Sequence, residues 1–348
     1  MNKKWWLLTF LIVIVAIVIG YKMMTKIPEV KVFEMKEVDR LPVGRASIGV
    51  FEKYNVVGSG ATYDGLILRG DDALSETSFL EWVNRRWKDI QKVDVKKGVD
   101  HQPIIYRPSP HKVSFKYGYD EIDLKGYEGS YYEGEGAVWM NNKVLYIAPG
   151  GSIDADKRVI EIIKNVREFK DKEDKNFCLG FYCLDLPASN NESASINIKF
   201  PNINGLHFFI RIERYNSEQN EFYSKRTLIG EIPGGHRALG ALSGTVYAHP
   251  SRRKVDGIEG EQDIGGASEK LSENKYNNFI QARWYYPGTS GDPDDPEIEI
   301  SLVYETELDH KPSRSGWFDD ETVKQTGFTP EKFMSMWEAT LKSFKRQR

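Results

Sequence analysis

A chain that breaks bonds needs a nucleophile beside a base, paired acids of unequal strength, or clustered metal ligands. This sequence offers few such arrangements. Gly58-Ser59-Gly60 is too short for the G-x-S-x-G nucleophile elbow, and Gly240-Ala241-Leu242-Ser243-Gly244 has the wrong spacing. A serine triad assembled in space from distant residues is the alternative that spacing does not address. The histidines, His101, His111, His207, His236, His249 and His310, form neither H-E-x-x-H nor H-x-H, which gives a zinc hydrolase little support. Among 51 acids no glycosidase pair stands out. No catalytic residue, metal or cofactor is assigned.

Binding chemistry is better represented. Tyr127, Tyr131, Tyr132, Glu133 and Glu135 interleave with glycines, the composition of a recognition loop with rigid rings on an adaptable backbone. A strand edge with stacked tyrosines is the plainer reading. Asp292, Asp294 and Asp295 could gather oxygens for calcium, but the EF-hand ligand order is missing. The flanking prolines explain that stretch as a strand connector. These eight residues are the candidate partner contacts. Gly134-Glu135-Gly136 and Gly150-Gly151 lack the strand and helix context of a phosphate cradle. Cys178 and Cys183 suit a disulfide or a pair of buried strand thiols, because facing depends on the turn between them.

What must hold these groups begins with Trp5–Tyr21, an uncharged apolar run preceded by Lys3 and Lys4 and followed by Lys22. At about 1.5 Å per helical residue, Trp5–Met24 reaches about 30 Å, one hydrocarbon core. Trp5, Trp6 and Tyr21 sit where amphipathic rings prefer the headgroups. A cleaved signal peptide is the alternative, but Val18-Ile19-Gly20 is a poor cleavage site. The expectation is a single-pass inner-membrane anchor in residues 1–26 with the bulk of the chain exported. The formal net charge is −3, and the four lysines before residue 27 leave the exported body more acidic still. Such a body is not built for nucleic acid or anionic lipid.

Beyond the anchor, hydrophobic residues at 40% and aromatics at 12% suffice for packed cores. Residues 27–40 read as a charged lead-in, and 41–70 alternate like short antiparallel strands. Phe79, Val83, Trp87 and Ile90 form one helical face, capped by Thr77 or Ser78. Asn141-Asn142 marks a hairpin turn. Asp154–Lys170 reads as a second helix with Val159, Ile162, Ile163 and Val166 on its stripe, and the charge run after it marks a boundary. Strands are expected at Cys178–Leu184, Ala194–Phe200, His207–Glu213, Leu242–Tyr247, Asn278–Tyr286 and Glu297–Glu305. Thr329 and Pro330 open a last helix with Phe333, Met336, Trp337, Thr340, Leu341 and Phe344 on one face. The fold class is therefore α+β: a transmembrane helix (1–26), then two domains of mainly antiparallel sheet with packed helices, 27–172 and 173–348.

Several short motifs carry a resemblance. Phe177-Cys178-Leu179-Gly180, Phe200-Pro201 and the strand His207–Arg211 open it. Arg253-Lys254-Val255-Asp256-Gly257-Ile258-Glu259-Gly260-Glu261 then follows an R-x-V-x-G-x-x-G-E pattern, continued by Phe279, Trp284, Pro296 and Glu297–Tyr304. Val43-Gly44-Arg45 adds a match near the start. Together they resemble the immunity proteins paired with type VI secretion lipase effectors, the fourth Tle-cognate class, over about residues 36–310. Pro42-Val43 replaces that family's usual cysteine before the Gly-Arg pair, so no first-domain cysteine bridge is implied. The resemblance implies a two-domain periplasmic protein that binds a secreted phospholipase and blocks its active site or lid. Arg253, Gly257, Gly260 and Glu261 match the motif, and a tight turn held by an Arg–Glu pair explains them structurally. An exported hydrolase and an anchored sensor or scaffold are the rival classes.

Overall fold

The computed structural model describes residues 29–72, 74–92, 103–118, 132–149, 155–170, 175–214, 247–289, 292, 294–313 and 316–347. The apolar run Trp5–Tyr21 lies outside them. Among the described residues no helix is long and apolar enough to cross a membrane.

Strands β1 (Asp39–Gly44) and β2 (Ala46–Val50) turn at Arg45, and β3 (Asn55–Tyr63) and β4 (Leu66–Asp72) turn at Asp64-Gly65. Helix α1 (Glu76–Gln91) follows, then β5 (Ile104–Ser109), β6 (Lys112–Gly118), β7 (Tyr132–Met140) and β8 (Lys143–Pro149). The α1 cap is Ser75, whose side chain accepts from the Ser78 amide, rather than Thr77 or Ser78. Phe79, Val83 and Ile90 are buried as their spacing predicts, packing with Val113, Phe115 and Val144 of the sheet. Asn141 and Asn142 both take positive φ, 49° and 63°, the two-residue turn that matches strand twist.

Helix α2 spans Ala155–Asn165, shorter than the expected Asp154–Lys170. The Lys112 ammonium donates to the carbonyls of Ile163 and Val166 at 2.8 and 3.2 Å, where a cation suits a helix C-terminus. Val166 is buried, but from strand β9 (Val166–Glu168). Pairing with a neighbouring strand outcompeted one more helical turn. The glycines of β7 seat α2: a Cβ at Gly134 would fall 2.4 Å from the Asp156 Cα, and one at Gly136 2.7 Å from the Val159 side chain.

Next come β10 (Phe177–Leu179), β11 (Tyr182–Leu184), β12 (Glu192–Lys199) and β13 (Leu206–Arg214). Of the expected strand Leu242–Tyr247, only Tyr247 is described, and β14 (Tyr247–Val255) begins there. Strands β15 (Ile258–Ser272), β16 (Lys275–Tyr286) and β17 (Glu297–Leu308) form a long meander. Helices α3 (Asp320–Thr326) and α4 (Pro330–Ser343) and the short β18 (Lys345–Arg346) close the chain. Thr329 caps α4 through the Lys332 amide, and Phe333, Met336, Trp337 and Leu341 are buried. Each such side chain contributes about 1.5–3 kcal/mol on burial.

The helices lie on two sheets, ordered β18-β2-β1-β10-β11-β9 and β14-β15-β16-β17-β13-β12-β3-β4-β8-β7-β6-β5, with every pairing antiparallel. β3 pairs with β12 along its length, from Glu192 opposite Tyr63 to Lys199 opposite Asn55. With β4 it shares only Ala61–Leu68, Thr62–Ile67 and Tyr63–Leu66. The large sheet is thus two ladders that diverge from one short seam.

Candidate partner-binding site

Beyond the point where β3 and β4 part, β3 is irregular. Gly58 sits opposite Asn197 and Val56 opposite Ile198, so Val57 is the extra residue of a bulge that bends β3. A cleft of about 550 Å³ opens in the gap. Val56–Ser59 of β3 line it together with Gly70 of β4 and with Asn141 and Lys143 of the β7–β8 turn. The hairpin β10–β11 adds Phe181 and Tyr182. Phe181 passes close to Gly70, where a Cβ would lie 3.0 Å from the ring, and the Lys143 ammonium is 5.2 Å from its centroid. The Asn141 amide donates to Glu168 at 2.7 Å, and the Tyr54 hydroxyl to Asp39 at 2.7 Å. Among the described residues the buried Tyr182 hydroxyl has no hydrogen-bond partner, and burial holds its pKa well above the ordinary tyrosine value. A phenol kept neutral is a poor nucleophile and serves this wall as an apolar ring.

That hairpin is locked at its base. Cys178 and Cys183 stand directly opposite across the Gly180-Phe181 turn and are disulfide-bonded. Gly180, at φ 58°, supplies the positive dihedral of the first loop position.

A second cavity of about 510 Å³ sets charged side chains among apolar ones. Arg45, at the β1–β2 corner, donates from Nε and Nη2 to both oxygens of Glu192 at 3.1 and 2.9 Å. Glu192 is 3% exposed and also accepts from the Ser189 amide at 2.8 Å. Arg214 sits 3.8 Å from it, and one Arg214 guanidinium nitrogen, Nη1, is buried without a partner among the described residues. Burial pushes the Arg214 pKa down, against the pull of Glu192. Lys175 and Arg346 complete the cationic part of the lining, which Asp294 partly offsets, and Ala46, Ala188, Ile212, Pro296 and Ile298 make the rest of it apolar. Such a cavity can receive an acidic side chain.

One further cluster has the carboxylates of a general acid. Glu213, Glu297 and Glu299 lie 3.1–3.4 Å from the Arg211 guanidinium. Burial raises the pKa of Glu213 and Glu297, with Arg211 opposing. These side chains line neither cavity and form a cross-strand charge ladder on β13 and β17.

The residues singled out by composition fall in several places. Tyr127 and Tyr131 lie outside the described residues, as do His101, His236 and Ser243. Tyr132 and Glu133 open β7. Glu135, on the same strand, is held by Arg86 of α1 at 2.5 and 3.0 Å. Asp292 and Asp294 are exposed, and Asp292 accepts from the Asp294 amide at 2.9 Å. Asp295 is turned inward, accepting from the hydroxyls of Tyr286 and Thr289 at 2.7 Å. The turn motif is structural in a way its spacing did not predict. Arg253 does not pair with Glu261: its guanidinium reaches Glu338 of α4 at 2.6 Å and Gln262 at 2.8 Å. Glu261 is 4% exposed, facing Tyr285 in the β15–β16 register. Asp256 and Gly257 form the turn at φ 48° and 79°, and Gly260 lies against the Trp284 indole.

The hairpins β10–β11 and β14–β15, the meander and α4 all lie within residues 174–348, which match the model of the Tle cognate immunity protein 4 C-terminal domain. The chain belongs to the Tle cognate immunity protein 4 family. Solved structures share the fold over most of the chain. A chain of the Tle4–Tli4 complex aligns at TM-score 0.62 and 15% identity, over 90% of this chain and 99% of that one. The immunity protein TplEi of the type VI secretion system from Pseudomonas aeruginosa aligns at 0.58 and 14% when complexed with an "L" peptide, over 88% and 99%. Its apo structure aligns at 0.55 and 14%, over 88% and 97%. No curated protein matches the chain. Of the two cavities in this member of the Tle cognate immunity protein 4 family, the one between β3 and β4 is largely built by residues before 174. Composition missed both. The signal for the first was Asn55–Gly60, valines and glycines without a guarding charge; for the second it was Arg45, read only as part of a motif.

Proposed function

We propose that the protein is a non-catalytic immunity protein that binds a type VI secretion lipase effector and covers its active site or lid. Membership of the Tle cognate immunity protein 4 family carries this reading. The candidate surfaces agree with it physically. A cavity that mixes cationic and apolar walls and an open cleft beside exposed valines are features of a surface that grips a protein. Inhibition requires a well-packed interface with a few buried anchors rather than chemistry.

Trp5–Met24 serves in this proposal as an inner-membrane anchor, with the rest of the chain periplasmic. Tethering holds the inhibitor where a lipase meets its phospholipid, raising the local concentration without any added contact. The test is titration of the full chain, in detergent, into a type VI secretion phospholipase effector from the same organism, sought first in the adjacent reading frames. Hydrolysis should fall to background at one molar equivalent. Inhibition that never saturates near one-to-one, or turnover by the chain alone, refutes the reading.

A further inference from the structure

Strand β3 has one satisfied edge and one open edge. Along Asn55–Lys199 to Gly60–Ser195 it pairs with β12, while its ladder with β4 stops at Ala61. In an antiparallel ladder successive residues turn their amide and carbonyl alternately to either side. Among the described residues, Asn55–Gly60 therefore presents about 20 Å of strand edge with no partner strand on the side of the cleft. Asn55–Gly58 are exposed, with Val56 at 40% and Val57 at 49%. A Cβ at Gly58 or Gly60 would meet nothing within 4 Å, so the face of the strand is also uncovered there.

Natural sheets guard such edges with proline or charge. The outer strands of this sheet do so: β5 carries Arg107 and Pro108, and β14 carries Pro250, Arg252, Arg253 and Lys254. Asn55–Gly60 has neither. An unguarded edge inside a walled cleft is the geometry of strand addition, in which main-chain hydrogen bonds supply affinity and flanking side chains supply selectivity. A protein of this fold, TplEi, is known with a bound peptide.

We infer that the open edge of β3 takes up an extended segment of the effector, added as a strand along Asn55–Gly60 within the cleft. The inference rests on the immunity reading above and deepens it by naming how the partner is held. The segment that fits lays apolar side chains on Val56, Val57 and Phe181, while its polar groups meet the charged part of the lining, Asp39, Arg40, Lys143 and Glu168.

The experiment is amide hydrogen exchange on the full chain, with and without the phospholipase used in the titration. Strand addition slows exchange at least tenfold in the complex at those amides of Asn55–Gly60 that face the cleft, while those already bonded to β12 change little. The paired substitution Val56→Lys with Val57→Lys, on exposed positions, should weaken binding at least tenfold while leaving the melting temperature unchanged. Leu271→Lys, an exposed apolar position elsewhere, should leave binding as it is. Binding with an unprotected edge, or unaffected by the lysine pair, overturns strand addition and leaves the immunity reading intact. Protection that rises with chain concentration in the absence of effector makes a second copy the strand donor and overturns it too. No binding by the unaltered chain overturns the immunity reading, and strand addition with it.

Discussion

Gly260→Ala tests whether the R-x-V-x-G-x-x-G-E motif builds a hairpin rather than an inhibitory contact. The added Cβ would lie 2.4, 2.5 and 2.6 Å from three atoms of the Trp284 indole. That ring is 0% exposed, and its Nε1–H donates to the Arg253 carbonyl at 3.1 Å, so it has little room to yield. Overpacking a filled core costs about 1–3 kcal/mol. Displacing the indole also weakens its hydrogen bond, adding about 1 kcal/mol. The expected loss is about 3 kcal/mol, read as a lower urea midpoint by circular dichroism. Gly257→Ala is the internal comparison. Its Cβ meets nothing within 4 Å and pays only for φ of 79°, about 1–2 kcal/mol. Combining Gly260→Ala with Trp284→Phe should recover at least about 1 kcal/mol of the clash, because residues in contact do not add. Gly260→Ala within about 0.5 kcal/mol of the unaltered chain, or strict additivity with Trp284→Phe, refutes the packing argument. Folded Gly260→Ala protein should still inhibit the effector with unchanged stoichiometry.

Glu192→Gln removes the carboxylate shared by Arg45 and Arg214, which are 12% and 10% exposed. Stranding buried cations should cost about 3–5 kcal/mol, and a loss below about 1 kcal/mol in urea unfolding contradicts that account. Cys178→Ala with Cys183→Ala opens a very short loop, so chain entropy predicts a loss of at most about 2 kcal/mol, with the hairpin still formed by hydrogen exchange. For pH, burial alone would raise the Asp319 carboxyl, but hydrogen bonds from the Thr322 and Ser313 amides at 2.8 and 2.7 Å hold it well below the usual carboxylate range. Its contribution is fully present above the unfolded aspartate value and is lost as pH falls below it. Asp319→Asn should therefore destabilise at pH 7 and much less at pH 2, and an equal loss at both pH values contradicts the assignment.

Glu213 and Glu297 behave in the opposite sense. Their pKa values are raised by burial, so the folded chain binds their protons more tightly and stability falls as pH rises through the raised values. Glu297→Gln should remove part of that fall in urea titrations between pH 4 and 7, and an unchanged slope argues against it.

The sequence by itself determined what depends on near neighbours. The stripes of α1 and α4, the Thr329 cap with Pro330, and the Asn141-Asn142 turn involve residues within about one helical turn or one hairpin loop of each other, where periodicity and dihedral preference act directly. The motifs that carried the family resemblance were also local, hairpins such as Val255–Ile258. Tertiary structure alone decided which strands lie side by side. Nothing in Asn55–Tyr63 names Glu192–Lys199 as its neighbour, nor in Val43 names Leu179, because pairing over such separations is set by the packing of both faces at once. The same holds for Arg253, whose partner Glu338 arrives on a helix 85 residues later rather than within its own turn. It holds most for the candidate surface. A strand edge is open only because its neighbour has turned away, and that is a relation between strands that no single stretch of chain contains.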